Sequence, residues 1–244
     1  MADHQEGLTN VDACESMDDS LMQKKEWHLG DWVEMYDKYP SSKAKGGPSE
    51  QLVKYVKELL PSEPAHVLVP LCGKSPDLRW LYERGNTVVG LEGVEKPVRE
   101  FYEMYPDLQH SVEDLPFGKL FKSSDGRLQV YVCDVTQVPS EALGKFDAVF
   151  DWGAYTAIVE GDRQRYVDVV MATMKEDSRY FLEVCHDGPP EATGIPNSVS
   201  FRTLKLEFGP SWRLRVLETL DISEDWEVES FFNSYFLITP KNSQ

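Results

Sequence analysis

The chain has 244 residues, enough for one large α/β domain with a sizeable core. Lys and Arg number 25 against 42 Asp and Glu, a net charge of −17 that disfavours nucleic acid and anionic lipid as partners. No apolar run approaches the roughly 18 residues of a membrane span, and the acidic start lacks the parts of an export signal or a transit peptide; a cytoplasmic chain is expected.

Residues 1–24 are acidic and poor in large apolar side chains, the composition of a disordered tail; 25–244 are expected to form one domain without internal repeats. The four cysteines, Cys14, Cys72, Cys133 and Cys185, are widely spaced and form no CxxC pair. Neither a disulfide framework nor a metal site is expected from them, and the last three read as small buried groups at strand ends. EWHLGDWVEMYDKYP then crowds Trp27, Trp32, Tyr36 and Tyr39 into one stretch, too aromatic for plain solvated surface. QLVKYVKELL (51–60) has apolar residues at helical spacing, stopped by Pro61 and Pro64.

From there strands and helices alternate. HVLVP (66–70) and TVVGLE (87–92) read as buried strands, with a helix in SPDLRWLYERG between them that stops at Gly85. EKPVREFYEMY is a second helix. GKLFKSSDGRLQVYVCDV reads as a hairpin turning at Asp125-Gly126. KFDAVFDWGAY holds the next strand, DRQRYVDVVMATMK a helix, and RYFLEVCHD another buried strand. HDGPPEATGIPNS (186–198) is a long loop over the carboxyl edge. WRLRVLETLDI and ESFFNSYFLITP close the chain as an antiparallel pair. This order predicts an open, mostly parallel sheet with helices on both faces.

The turn after the first strand, LCGKSPD, carries the ligand question. A triphosphate loop needs a glycine five residues before Gly73, where Leu68 stands. A dinucleotide turn needs further glycines that are missing. What remains is a strand, a tight turn opening a helix, and an acid, Glu92, about 20 residues on at the end of the next strand. At that distance an acid reaches a ribose hydroxyl. A nucleoside ligand without phosphates suits the arrangement, and S-adenosylmethionine is one; a plain strand-end acid is the alternative for Glu92.

PLCGKSPDLRWLYERGNTVVGLE resembles the first half of the thiopurine S-methyltransferase family. EWHLGDWVEMYDKY resembles its tryptophan-rich N-terminal segment. FKSSDGRLQVYVCDVTQVPSEALGKFDAVFDWGA, IVEGDRQRYVDVVMATM and SYFLIT follow in the family's order, so the resemblance covers roughly residues 26–240. It implies a Rossmann-like class I methyltransferase fold, with a single seven-stranded, mostly parallel sheet and an antiparallel C-terminal pair. It also implies methyl transfer from S-adenosylmethionine to a small molecule by a monomeric enzyme. Carried over by residue, Leu71, Cys72 and Gly73 of the turn and Glu92 meet the cofactor. Asp134 and Val135 flank its adenine, and Trp27 and Trp32 cover its methionine end. Tyr39 lines the acceptor pocket.

Two departures concern the acceptor. Where the family's thiopurine enzymes have an arginine after the fourth strand, this chain has Trp152, and DISEDW (221–226) lacks a second family arginine. Tryptophan offers a flat apolar face in place of a charge-assisted donor. Trp152 and Asp151 are the candidate catalytic residues, with anchoring of backbone groups at the strand end as the alternative for Asp151; Tyr39 and Trp152 are the candidate acceptor contacts. Lys74 and His186 read first as ordinary surface and loop residues, with added positive potential or proton transfer as their alternatives. Three readings stand together: a small-thiol S-methyltransferase, an O- or N-methyltransferase, and a cofactor-binding protein without catalysis.

Overall fold

The computed structural model describes residues 26–39, 47–189 and 195–241; the expected tail, 1–24, lies outside them. In chain order the described elements begin with α1 (Leu29–Lys38), α2 (Glu50–Leu59), β1 (His66–Val69), α3 (Pro76–Glu83), β2 (Thr87–Glu92) and α4 (Glu95–Met104). Three strands follow, β3 (His110–Leu115), β4 (Gly118–Ser123) and β5 (Leu128–Val132), then short α5 (Ser140–Leu143) and β6 (Phe146–Asp151). The chain continues through short α6 (Ala154–Ala157), α7 (Glu160–Ala172), β7 (Met174–His186) and α8 (Phe201–Phe208), and closes with β8 (Trp212–Asp221) and β9 (Phe232–Pro240).

The strands form one sheet in the order β3-β4-β5-β2-β1-β6-β7-β9-β8. The five in the middle, β5 to β7, run parallel, and β9 and β8 add antiparallel at one side. The sheet has nine strands where seven are expected. The hairpin at Asp125-Gly126 forms as predicted, with Lys122 opposite Gln129 and Gly126 at φ +74°. Its first arm, β4, then pairs outward with β3 and extends the sheet. β3 escapes the sequence reading because HSVEDL has little apolar pattern; five of its six residues are exposed.

Val67, Leu68 and Val69 of β1 are at most 3% exposed, as a strand covered on both faces requires. Side chains leave each strand alternately, so the sheet separates two apolar layers. One holds Leu68, Tyr166, Leu182 and Val184, and the other Val67, Leu78, Phe101, Phe150 and Phe181. α3 starts as its sequence suggests: Ser75 Oγ accepts from the Asp77 amide at 3.1 Å, and Pro76 opens the first turn. Gly85 follows its end at φ +92°. No helix among the described residues is long and apolar enough to cross a membrane.

Candidate functional site at the carboxyl edge

β1 ends at Val69 and the chain turns sharply through Leu71 (φ +42°) and Gly73 (φ +50°). Two of the three residues Leu71–Gly73 have positive φ, which keeps the turn tight. The Cys72 amide donates to Leu91 O at 2.9 Å, which ties the turn to β2. Glu92 closes the arrangement. Its Oε2 accepts from the Gly73 amide at 2.8 Å and its Oε1 from the Val94 amide at 2.9 Å. The side chain is 6% exposed. Burial raises its carboxyl above the ordinary value, opposed by the bonds from Val94, Gly73 and Gly93. A carboxylate has about four acceptor sites, so these backbone bonds leave room for a ligand hydroxyl.

The aromatic segment forms α1 and lies over this turn. A Cβ on Gly93 would stand 2.5 Å from Leu29 Cδ1, and one on Gly73 3.5 Å from the Tyr36 hydroxyl. Gly93 is therefore glycine so that α1 can close down on the end of β2. Lys96 Nζ donates to the Tyr36 carbonyl and holds α1 to α4. Burial and the neighbouring Glu92 carboxylate push the Tyr36 phenol far up. Trp27 and Trp32 pack with ring centroids 5.1 Å apart. Trp27 is 4% exposed, and its indole N–H has no partner among the described residues. A cleft of about 520 Å³ runs beside the site, between Val33 and Asp37 of α1, Gly93 to Lys96, Arg99, and Val132 of β5. A further cleft of about 410 Å³ lies at the opposite end of the strands, near Glu58, Arg179 and Thr239, away from all these groups.

Asp134 and Val135 follow β5 beside Glu92, whose carbonyl accepts from the Cys133 amide at 2.9 Å. Asp134 binds its own turn, accepting from the Thr136 amide and hydroxyl at 2.9 and 2.7 Å and from Gln137 Nε2 at 2.6 Å. Val135 is 3% exposed in the core, so only its backbone is left for a base. Cys72 is similar. Its thiol packs onto bare Gly90, where a Cβ would stand 2.7 Å from Sγ, so its side chain belongs to the core. Lys74 pairs with Glu100 at 2.9 Å.

On the acceptor side, Asp151 and Trp152 are both held by neighbouring rings and hydroxyls. Asp151 is 0% exposed, and its carboxylate accepts from Tyr166 (2.5 Å), Tyr180 (2.6 Å) and the Tyr155 amide (3.1 Å). Burial pushes it up to about 6 against these bonds. It anchors the start of α6 through the Tyr155 amide and presents no exposed surface. Trp152 does not project freely into an open pocket. It is half-buried and stacks on Phe150 at 6.1 Å and Tyr235 at 5.8 Å, keeping part of its face at the edge. His186, read as a loop residue, is the last residue of β7. It is 6% exposed, held by Asp187 at its Nδ1 and Ser234 at its Nε2, both at 2.9 Å. Ser234 is 0% exposed, so the ring is closed off on its Nε2 side, while Asp187 at its Nδ1 stands in solvent. Tyr39 caps α1 next to residues 40–46, which lie outside the described ones.

The sequence reading missed two residues here. Glu183, 3% exposed on β7, and Asn233 on β9 join by Asn233 Nδ2 donating to Glu183 Oε1 at 3.0 Å. The available signal was the acid inside the apolar run FLEVC.

The buried orphan N–H of Trp27, the Glu92 carboxylate and the roomy cleft fit a ligand with a ribose and a polar amino-acid end. Solved structures share the architecture. One was determined in a study of the conversion of a disulfide bond into a thioacetal group during echinomycin biosynthesis: TM-score 0.59, 16% identity, covering 88% of this chain and 94% of that one. Another is Burkholderia thailandensis 1,6-didemethyltoxoflavin-N1-methyltransferase with bound S-adenosylhomocysteine: TM-score 0.56, 15% identity, 86% and 87% covered. These likenesses show the fold. The sequence model of the family Thiopurine S-methyltransferase (TPMT) matches residues 23–239. Thiopurine S-methyltransferase of Canis lupus familiaris is 32% identical over 245 residues, covering 96% of this chain and 98% of that one. The Rattus norvegicus enzyme is 35% identical over 181 residues, covering 72% and 75%. The chain belongs to the thiopurine S-methyltransferase family.

Proposed function

We propose that the chain transfers a methyl group from S-adenosylmethionine to the sulfur of a small, flat or apolar, neutral thiol, acting as a cytoplasmic monomer. Residues 25–244 form the catalytic domain in this reading, and 1–24 are a tail outside it. The observation that carries the cofactor assignment is the Glu92 carboxylate, buried at the edge, bonded by backbone amides and with acceptor capacity to spare. When bound, the cofactor supplies an activated methyl group on a sulfonium. Glu92 takes the ribose hydroxyls, the turn Leu71–Gly73 the polar end, and Asp134 with the Val135 backbone flanks the base. Trp27 and Trp32 shield the sulfonium side from water, since aromatic faces attract a cation and exclude solvent. Methyl transfer is an in-line displacement, so orientation supplies much of the acceleration.

Trp152 sets the acceptor class. Its stacked ring, where thiopurine enzymes of the family have an arginine, favours a neutral flat or apolar partner over an anionic one. Tyr39 lies at the end of α1 as the second acceptor contact. The test uses cofactor with a tritiated methyl and a panel of a neutral aryl thiol, an alkyl thiol, a thiopurine, a phenol and an amine. Label in the thiols supports the reading. Label in the phenol or amine alone moves the acceptor to oxygen or nitrogen. Label in none, with normal binding of the demethylated cofactor, leaves a non-catalytic binding protein.

A further inference from the structure

Phe181, Glu183 and Cys185 leave β7 on the same side, into the layer that holds Phe150, Trp152 and Tyr235. Glu183 is thus a buried acid on the Trp152 side of the sheet, at the carboxyl edge. Its Oε1 is fixed by Asn233 Nδ2 at 3.0 Å, and Asn233 Oδ1 in turn accepts from Cys185 Sγ at 2.7 Å. Its Oε2 points to Gly153, the residue after Trp152, where a Cβ would stand 3.6 Å away. Gly153, at φ +79°, adds no side chain over that oxygen, and Tyr235 is a further hydrogen-bond partner of the carboxylate. Among the described residues no lysine or arginine pairs with Glu183 in an ion pair. An acid kept in such a place without a cation costs stability, which an apolar residue there would spare.

We infer that Glu183 is the proton acceptor for the methyl-accepting thiol, held in line by Asn233, and that this thiol arrives with its proton on. The inference rests on the methyl-transfer reading above. As the acceptor sulfur forms its bond to the methyl carbon, its S–H proton passes to the Glu183 carboxylate. The methyl bond to the sulfonium breaks, and that electron pair stays on the departing sulfur. The products are an uncharged thioether, the neutral demethylated cofactor and a carboxylic acid, which then releases its proton to water.

The neighbours fit this role. Burial first, and then the Asp151 carboxylate on β6, push the Glu183 carboxyl up to about 8, against a hydrogen bond from Tyr235 on β9. The other ionisable groups that face it, Tyr235 and Cys185, are themselves pushed up and stay neutral. Asp151 is closed in by its tyrosines, and His186 leaves β7 on the opposite side. Of the two buried acids Asp151 and Glu183, Glu183 is the one on the Trp152 side of the sheet. A base of this strength is matched to an alkyl thiol and unneeded by an electron-poor aryl thiol, which is already a thiolate at neutral pH.

The test uses the full chain and Glu183→Gln, which keeps the shape and an oxygen for Asn233. In the cofactor-free protein with 13C-labelled glutamate, one carboxyl resonance is expected to titrate near pH 8 and to vanish in Glu183→Gln. The variant is expected to lose at least about 100-fold in kcat/KM for an alkyl thiol, mainly in kcat. The loss for an electron-poor aryl thiol is expected to be at least about tenfold smaller. Asn233→Ala, which leaves the carboxyl in place, should show the same acceptor dependence at smaller size; it carries the test if the first variant fails to fold. Equal losses for the two thiols overturn the inference alone. No methyl transfer by the parent to any thiol overturns the proposed function and this inference with it.

Discussion

Glu92→Gln tests the turn and the ligand site together. The carboxylate accepts one amide on each oxygen, from Gly73 at 2.8 Å and Val94 at 2.9 Å. A glutamine has one oxygen and one NH2, so it can serve only one of them. The other buried N–H then faces a donor, and leaving a buried donor unmade costs about 1–3 kcal/mol. The relief of burying a charge works the other way, since burial raises the carboxyl of Glu92. A net loss of about 1–2 kcal/mol is expected. For a domain of this size it lowers Tm by roughly 2–8 °C. The missing ribose contact adds a separate loss of about tenfold or more in affinity for the demethylated cofactor, equal to about 1.4 kcal/mol. Calorimetric titration and thermal unfolding at pH 7 measure the two losses independently. A variant that melts with the parent shows that the amide bonds do not hold the turn. One that binds within twofold of the parent removes Glu92 from the ligand site.

Three further outcomes are expected. A chain beginning at Lys25 binds the demethylated cofactor like the parent, whereas one beginning at Ser41, which lacks α1, loses at least about tenfold, because closing segments complete such sites; parental binding by the shorter chain ends the idea that α1 covers the ligand. Trp152→Arg loses about 1–3 kcal/mol of stability with its two stacked partners, and the ratio of kcat/KM for a thiopurine over a neutral aryl thiol rises about tenfold or more as a charge-assisted contact forms; an unchanged ratio in a stable variant places acceptor selectivity elsewhere. Glu183 raises a pH effect on stability: its folded value, about 8, lies above the ordinary 4.5, so as pH rises from 4.5 to 8 the unfolded chain gives up the proton first and the parent loses stability, on the order of a few kcal/mol. Glu183→Gln lacks this loss, and urea midpoints at pH 5 and pH 8 should diverge between the two proteins; parallel midpoints show that Glu183 is ionised in the folded state.

How legible the fold was depended on whether each element is buried on both sides. HVLV and TVVGLE announce themselves because both faces of those strands meet helices. HSVEDL does not, because its side chains meet water. FRTLKLEF went unread as a helix, since only Leu204 and Phe208 of α8 are buried. Glu92 was legible from spacing alone, as the distance from turn to acid is fixed by one strand–helix–strand unit. Glu183 and His186 were not. Their partners, Asn233 and Ser234, lie 50 and 48 residues away, on a strand that pairs antiparallel with their own. No local pattern records such pairing. The roles of Asp151 and Trp152 were half legible. Their place at a strand end was visible, but apart from Phe150 the tyrosines around Asp151 and the rings around Trp152 come from four other elements.

The β3–β4 addition has a consequence for how copies of the chain meet. Without it β5 would be the outermost strand, and its unpaired amides and carbonyls would invite a foreign strand beside the loop of Asp134 and Val135. Two more strands at about 4.8 Å each move that sticky border roughly 10 Å away from the ligand edge. The new border is β3, and it presents Glu113 and Asp114 to solvent. Two molecules approaching through this side bring like charges together along a surface that is already strongly acidic. The added hairpin thus works as a fender, keeping crowded copies from stacking their sheets at the place where the ligand must enter.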